Sequence, residues 1–263
     1  CARCPRRRSP HAPPQVLALM ASKTSLVVLC NEALMVTILF GHLLKRLFFG
    51  RLREAEVEHL HERSWYAITE TCLAMTIFRE EFNVRFVGLF TGLLFSKIFH
   101  WLVQDRIAFM EQTPAVSLRT HARMLTLMLG LFVLDACALH GAVSHTLTRG
   151  PSVMLLFGFE YLILTSSVSS TFGKYALHMN DVRLGGRWAD KSVYLFYLEL
   201  VTDLFHMVVY LAFFLLICTY YGLPLHIMRD LYLTCRSFKT RVTDFLRYRA
   251  ITANMNERFP DAT

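Results

Sequence analysis

The 263 residues are 54% apolar and 18% charged, with a formal net charge of +8. Globular chains sit nearer about 45–50% apolar and about 25% charged; here the apolar residues come in long blocks, which excludes an ordinary soluble domain and points to a membrane. The basic residues lie between those blocks and form no single patch, which argues against a nucleic-acid surface.

Residues 1–22 open on "CARCPRRRSPHAPP", an Arg/Pro-rich stretch expected to be disordered. The chain starts at Cys1 without a methionine and reads as a fragment. The Cys1/Cys4 pair has no second Cys-x-x-Cys to complete a zinc set, and the apolar run after the arginines is too short and broken for a signal peptide. The seven cysteines are scattered, so no disulfide framework is read from them and free buried thiols are expected.

Residues 23–248 read as an all-α, polytopic membrane helical bundle. Seven candidate spans fall near 25–44, 60–78, 86–103, 124–145, 152–178, 192–221 and 225–245, each near the ~20 residues that cross a bilayer core. The sixth is long enough to tilt. The seventh carries Arg229, Asp230, Arg236, Lys239 and Arg241; alone it would pass for an interfacial helix, whereas in a bundle it is a span with one wet face. Residues 249–263 read as a cytosolic linker.

Basic residues gather on the cytosolic side of a membrane protein. With the loop after the first span cytosolic and sides alternating, eighteen Lys/Arg fall inside and four outside. Deleting the doubtful span 60–78, which holds Glu70, moves Arg106 outside and erases the bias. The charge pattern thus makes that stretch a span and places the C-terminus in the cytosol. Arg3, Arg6, Arg7 and Arg8 then fall outside, against the rule, which an upstream span would explain.

On a helix the second span aligns Trp65, Thr69, Cys72 and Thr76 on one stripe, small polar residues of the kind that join spans. Glu70 lies about 100° away. An acid near mid-bilayer costs ~3 kcal/mol on insertion scales and must face protein or water, so this helix is expected to border a wet cavity. The sixth span has a stronger stripe: Glu199, Thr202, Asp203, His206 and Tyr210. Asp203 lies about 18 Å along the helix from Lys191, deep for a charge. A cavity wall or interhelix hydrogen bonds explain it better than metal ligation, since no matching ligand pair occurs elsewhere. Asp135, His140 and Glu160 read as satisfied bundle contacts. The histidines of "HLHE" (59–62) are two apart and make no zincin motif, and "RLREAEVEHLHER" (51–63) reads as a solvated helix. No phosphate loop, nucleophile elbow or paired-carboxylate motif occurs.

The stretch "FFGRLREAEVEHLHERSWYAITETCLAMTIFR" resembles the synoviolin family of multispan ubiquitin ligases of endoplasmic-reticulum-associated degradation. Four further stretches agree in the family's order: "FHWLVQDRIAFMEQ", "LTRGPSVMLLFGFEY", "YLELVTDLFHMVVYLAF" and "RAITANMNERFPDAT". The resemblance covers roughly 44–263. It implies eight spans, of which this chain shows seven, a multi-pass endoplasmic reticulum protein, and a downstream RING holding two zincs, for which nothing after Cys235 supplies ligands. It implies a cavity with a lateral gate between the spans 60–78 and 225–245, through which misfolded proteins pass. Implied partners are a ubiquitin-conjugating enzyme, a Sel-like lumenal adaptor, a Derlin and an AAA ATPase; a homodimer is compatible. Expected cavity or gate residues are Trp65, Thr69, Glu70, Thr76, Glu160, Glu199, Asp203, His206, Arg236 and Lys239. Of these, Glu70, Glu160 and Glu199 are family-like, while Asp203 and His206 sit where the sixth span diverges. The competing reading is a transporter or receptor using the Glu199/Asp203/His206 stripe for an ion or ligand, but no inverted repeat supports it.

Overall fold

The computed structural model describes residues 23–77, 84–113, 117–150, 152–188, 190–220 and 225–258. The expectations for residues 1–22, including Cys1 and Cys4, fall outside that range. Among the described residues all regular structure is helical: α1 (Lys23–Phe48), α2 (Glu54–Ile77), α3 (Val84–Gln112), α4 (Leu118–Arg149), α5 (Val153–Arg183), α6 (Lys191–Tyr220) and α7 (Leu225–Arg258). The described residues up to Arg51 form one compact unit and those from Leu52 another. In the first, α1 ends with Lys45 and Arg46 in its last turn, where positive charge suits the helix dipole. Gly50, at φ 68, returns its amide to the Lys45 carbonyl at 3.1 Å.

Two sequence boundaries move. The charged stretch 51–63 and the span 60–78 form one continuous helix, α2. It starts where the Glu56 carboxylate accepts from the Arg53 amide at 2.9 Å and where Glu54 and Glu56 occupy the first turn. At the other end, α7 continues through the residues read as a linker as far as Arg258. Nothing in "FLRYRAITANMNER" breaks it, since it holds neither proline nor glycine.

The remaining boundaries follow local chemistry. Ser117 and Ser152 cap α4 and α5, accepting from the amides of Thr120 and Met154. Between α5 and α6, Gly185 and Gly186 both take φ 71, and the Asp181 carboxylate ties the turn together by accepting from the Trp188 amide at 3.4 Å and Lys191 Nζ at 3.0 Å.

Within the second unit, α2 packs on α3, α3 on α5, α5 on α6, α6 on α7, and α7 back on α2, closing a ring of five helices; α4 lies outside it against α3 and α5. Close approach at α4–α5 depends on Gly158, where a Cβ would stand 3.2 Å from that of Ala142. One end of the ring is filled by an apolar cluster of Phe86 and Leu93 from α3, Val153, Leu156, Phe157 and Leu164 from α5, Phe213 and Ile217 from α6, and Ile227 from α7.

Four helices are by length and composition able to cross a membrane: Phe86–Gln112, Leu118–Arg149, Val153–Arg183 and Lys191–Thr219. Their outer faces are apolar and open, with Leu129 64%, Val201 64% and Leu215 58% exposed, as a lipid-facing surface requires. The free thiols of Cys72, Cys137 and Cys235 lie on exposed faces, where buried ones were expected, and Cys218 is half-buried.

Candidate functional site

Inside the helix ring, beyond the apolar cluster, lie two polar cavities. The first, about 290 Å³, is walled by α2, α3, α5, α6 and α7. It brings Arg63, Lys97 and Arg229 together with Glu70, Glu160 and Asp230, three cations against three acids. The second, about 330 Å³, lies between α3, α5 and α6 and includes Asp105, Glu111, Lys174, Asp203 and His206. Gln104 and Ser167 belong to both walls, so the two form one polar track.

The charges are held by specific partners, as low-dielectric surroundings demand. Lys97 Nζ lies 2.8 Å from Glu160 Oε2, joining α3 to α5. Glu70 stands beside Asp230 across the α2–α7 seam, with Lys97 close enough to act on both. The Arg229 guanidinium sits 3.9 Å over the Tyr66 ring and 3.8 Å from Asp230. Beside the first cavity, His100 Nε2 is 2.8 Å from Asp135 Oδ2, its Nδ1 is 2.9 Å from the Ser96 carbonyl, and the Ser96 hydroxyl donates to Asp135 Oδ1 at 3.0 Å.

A second network fastens α7 to α6. Arg241 donates to Asp203 at 2.6 Å and to Glu199, Ser237 donates to Asp203 at 3.0 Å, and Lys174 of α5 donates to Glu199. The Phe196 and Phe245 rings stack at 4.7 Å beside it. On the other side of the ring, α2 is fastened to α3: Arg106 donates to the buried Glu56 at 2.9 Å, Arg63 pairs with Asp105 at 3.4 Å, and Arg53 lies 3.8 Å over Phe109. Hydrogen bonds to charged groups contribute about 1.5–3 kcal/mol each, while a cation–π contact such as Arg229–Tyr66 contributes ~0.5–2 kcal/mol. The α2–α7 seam is joined by the Arg229–Tyr66 contact and by the Glu70–Asp230 side-chain pair.

The expected site residues divide. Glu70 and Glu160 line the first cavity and Asp203 and His206 the second; Glu199 stands between Lys174 and Arg241. Trp65 and Thr69 point outward, Trp65 being 63% exposed. The Glu56 and Arg63 pairs set the rotation of α2, and at about 100° per residue they turn Tyr66, Ala67 and Glu70 inward in place of the Trp65/Thr69 stripe. Thr76 lies among side chains outside the described set. Arg236 and Lys239 are exposed on the outer side of α7 and line neither cavity. Within the Glu199/Asp203/His206 stripe, Glu199 and Asp203 both meet Arg241, Asp203 also accepts from Ser237, and His206 meets Ser166 at 2.6 Å. Among the described residues no group of three or more His, Cys, Asp or Glu side chains forms a metal site.

Sequence reasoning passed over Lys97, His100 and Gln104 of α3 and Tyr66 of α2. The first three recur at i, i+3 and i+7 within an apolar run, a polar stripe at helical spacing that would have marked α3 as a cavity wall.

Comparison with known proteins bears on residues 13–254, which match the family model described as "E3 ubiquitin-protein ligase synoviolin-like, TPR repeats". The chain is 29% identical over 235 residues to the ERAD-associated E3 ubiquitin-protein ligase hrd1 of Schizosaccharomyces pombe. The similarity covers 89% of this chain, which spans 35% of that relative's length.

Proposed function

The chain belongs to the synoviolin-like family of E3 ubiquitin-protein ligases, and from that premise we propose that it is the part of an endoplasmic reticulum ligase that receives misfolded proteins in the membrane. The observation that carries this is the closed ring of helices around a polar track lined by Gln104, Ser167 and balanced charges. Lipid rejects an unpaired peptide backbone, whereas a wet, hydrogen-bonding wall solvates it. A polypeptide crossing from lumen to cytosol enters sideways between α2 and α7, the two helices that close the ring. Trp65, Thr69, Arg236 and Lys239, exposed on the outer faces of these helices, flank the mouth of this gate, and Glu70, Glu160, Asp203 and His206 line the way behind it.

In this reading all seven helices cross the membrane, with the C-terminal end of α7 in the cytosol, as the Lys/Arg distribution requires. Residues downstream of Thr263 supply a RING, whose two zincs need eight Cys/His ligands. The described side chains offer no such set, so no step of the transfer is assigned to them. The RING recruits a ubiquitin-conjugating enzyme, a Sel-like adaptor and a Derlin deliver substrate from the lumen, and an AAA ATPase extracts the product.

The test is site-specific crosslinking in the full-length chain. A cysteine at Ser167, shared by both cavities, crosslinks to a stalled translocating substrate, and one at Thr69 does so at the mouth. A cysteine at the lipid-facing Val201 does not. Equal labelling at Ser167 and Val201, or none at Ser167, ends the proposal.

A further inference from the structure

α4 stands outside the ring, and its outer seam with α5 holds a cavity of another kind. This groove, about 430 Å³, is lined by Leu125, Leu129 and Phe132 of α4 and by Ser169 and Phe172 of α5, all of them exposed. Its floor is the buried Met128 and Val168. The two helices run antiparallel: His121 meets Tyr175 at 3.1 Å toward one end, and Gly158 faces Ala142 toward the other. Helical spacing carries the groove toward the first of these ends. On α5, Ser169, Phe172, Ala176 and Arg183 recur at i, i+3, i+7 and i+14, and on α4 Leu118 shares the face of Leu125. At 1.5 Å per residue, Arg183 stands about 16 Å beyond Phe172 along the helix axis. Arg119 and Arg123 add two exposed cations at this end of the pair. None of the three arginines has an ion-pair partner among the described residues. The acid nearest Arg183 in sequence, Asp181, is taken up by Lys191 and the Trp188 amide.

We propose that this groove holds an acyl chain of an anionic phospholipid, with the headgroup phosphate at Arg183 and with Arg119 and Arg123 adding to the attraction. A transmembrane helix docks through small residues that let two backbones approach. These walls are Leu and Phe, and from Leu125 to Phe132 the groove runs only about 10 Å, which suits a hydrocarbon chain. A chain alone leaves the cations unanswered. A phospholipid answers both, since its phosphate stays at the interface while its chains enter the core, and a negative headgroup complements three unpaired arginines. The groove shares no lining residue with either polar cavity, so the lipid is a ligand separate from any translocating chain. In the orientation proposed above, the arginine end is the cytosolic one, where anionic lipids concentrate.

Native mass spectrometry of the delipidated full-length chain in detergent tests the site. Phosphatidylserine and phosphatidylcholine with the same oleoyl chains are titrated separately. The parent chain is expected to hold one phosphatidylserine about tenfold more tightly than phosphatidylcholine. Arg183→Gln is expected to weaken phosphatidylserine about fivefold, the factor one basic residue contributes near an anionic headgroup, and to leave phosphatidylcholine unchanged. Arg247→Gln removes the same charge from the exposed end of α7 and is expected to alter neither. Ser169→Trp fills the groove and is expected to weaken both lipids; Leu129→Trp, on the facing wall, serves if that variant does not fold. Glycerophosphoserine, the headgroup without chains, is expected not to compete at equal concentration. Equal affinity for the two lipids, a loss in Arg183→Gln no greater than in Arg247→Gln, full binding in the groove-filling variants, or competition by glycerophosphoserine overturns the proposal. So does a dimer that Ser169→Trp abolishes while lipid binding persists, which gives the groove to a second copy of the chain.

Discussion

Among the described residues, His100 and Asp135 are the most deeply buried pair of titratable partners, 2% and 0% exposed. Both ring nitrogens face acceptors, the Ser96 carbonyl and the Asp135 carboxylate, so neither partner can be removed without stranding the other. Breaking a buried pair from one side costs about 3–5 kcal/mol, whereas replacing both partners by apolar residues is often neutral. His100→Leu is expected to destabilise by that amount, and His100→Leu with Asp135→Leu by much less, as read by thermal unfolding in detergent. Equal losses in the single and double variants would refute the pairing. Lys97 and Glu160, 15% and 22% exposed, keep some contact with water, so Lys97→Met is expected to cost less than His100→Leu in the same assay.

The helices of the ring are joined by two kinds of contact, shape and charge, and each can be removed separately. Shape governs α4 and α5, where Gly158 meets Ala142. Gly158→Leu forces the two axes apart and is expected to cost about 3 kcal/mol, the upper end for overpacking, in the same unfolding assay. Charge governs α6 and α7. Arg241→Gln loses the ion pairs to Glu199 and Asp203, but Lys174 and Ser237 remain to hold those acids. Arg241 is 32% exposed, so the expected loss is about 1–2 kcal/mol, below the full range for charged hydrogen bonds. It is expected to be smaller in high salt, since screening weakens a partly exposed pair. A salt-independent loss would mean that Arg241 acts through packing.

The second unit sets two polar cavities beside an apolar core, under outer faces that carry many exposed apolar side chains. The apolar cluster closes one end of the ring and the charge networks line the rest. For a membrane protein this arrangement leaves the hydrophobic effect to hold the bundle in lipid while packing and polar contacts hold its helices together. The proposed route of a translocating chain follows the two polar cavities. The substrate crosslinks at Ser167 and Thr69, with Val201 as the silent control, test that at the scale where it matters.

Composition, the placement of Lys and Arg, and long irregular matches to one family are properties of the chain as written. They determined an all-helical membrane protein of the synoviolin-like family, and the depth of Glu70, Glu160 and Asp203 followed from counting residues along helices. Which face each residue turns inward was decided only by the tertiary structure. Helical spacing groups Trp65 with Thr69 and Tyr66 with Glu70 equally well, and no periodicity says which group meets a neighbour. The Glu56–Arg106 and Arg63–Asp105 pairs choose, joining residues 50 and 42 positions apart. The partner of Asp203 was equally hidden: Arg241 was legible as one charge of an amphipathic span, but its reach to α6 depends on how two helices cross. Local sequence fixes the pitch of a helix, whereas its rotation about its own axis is set by contacts with other helices.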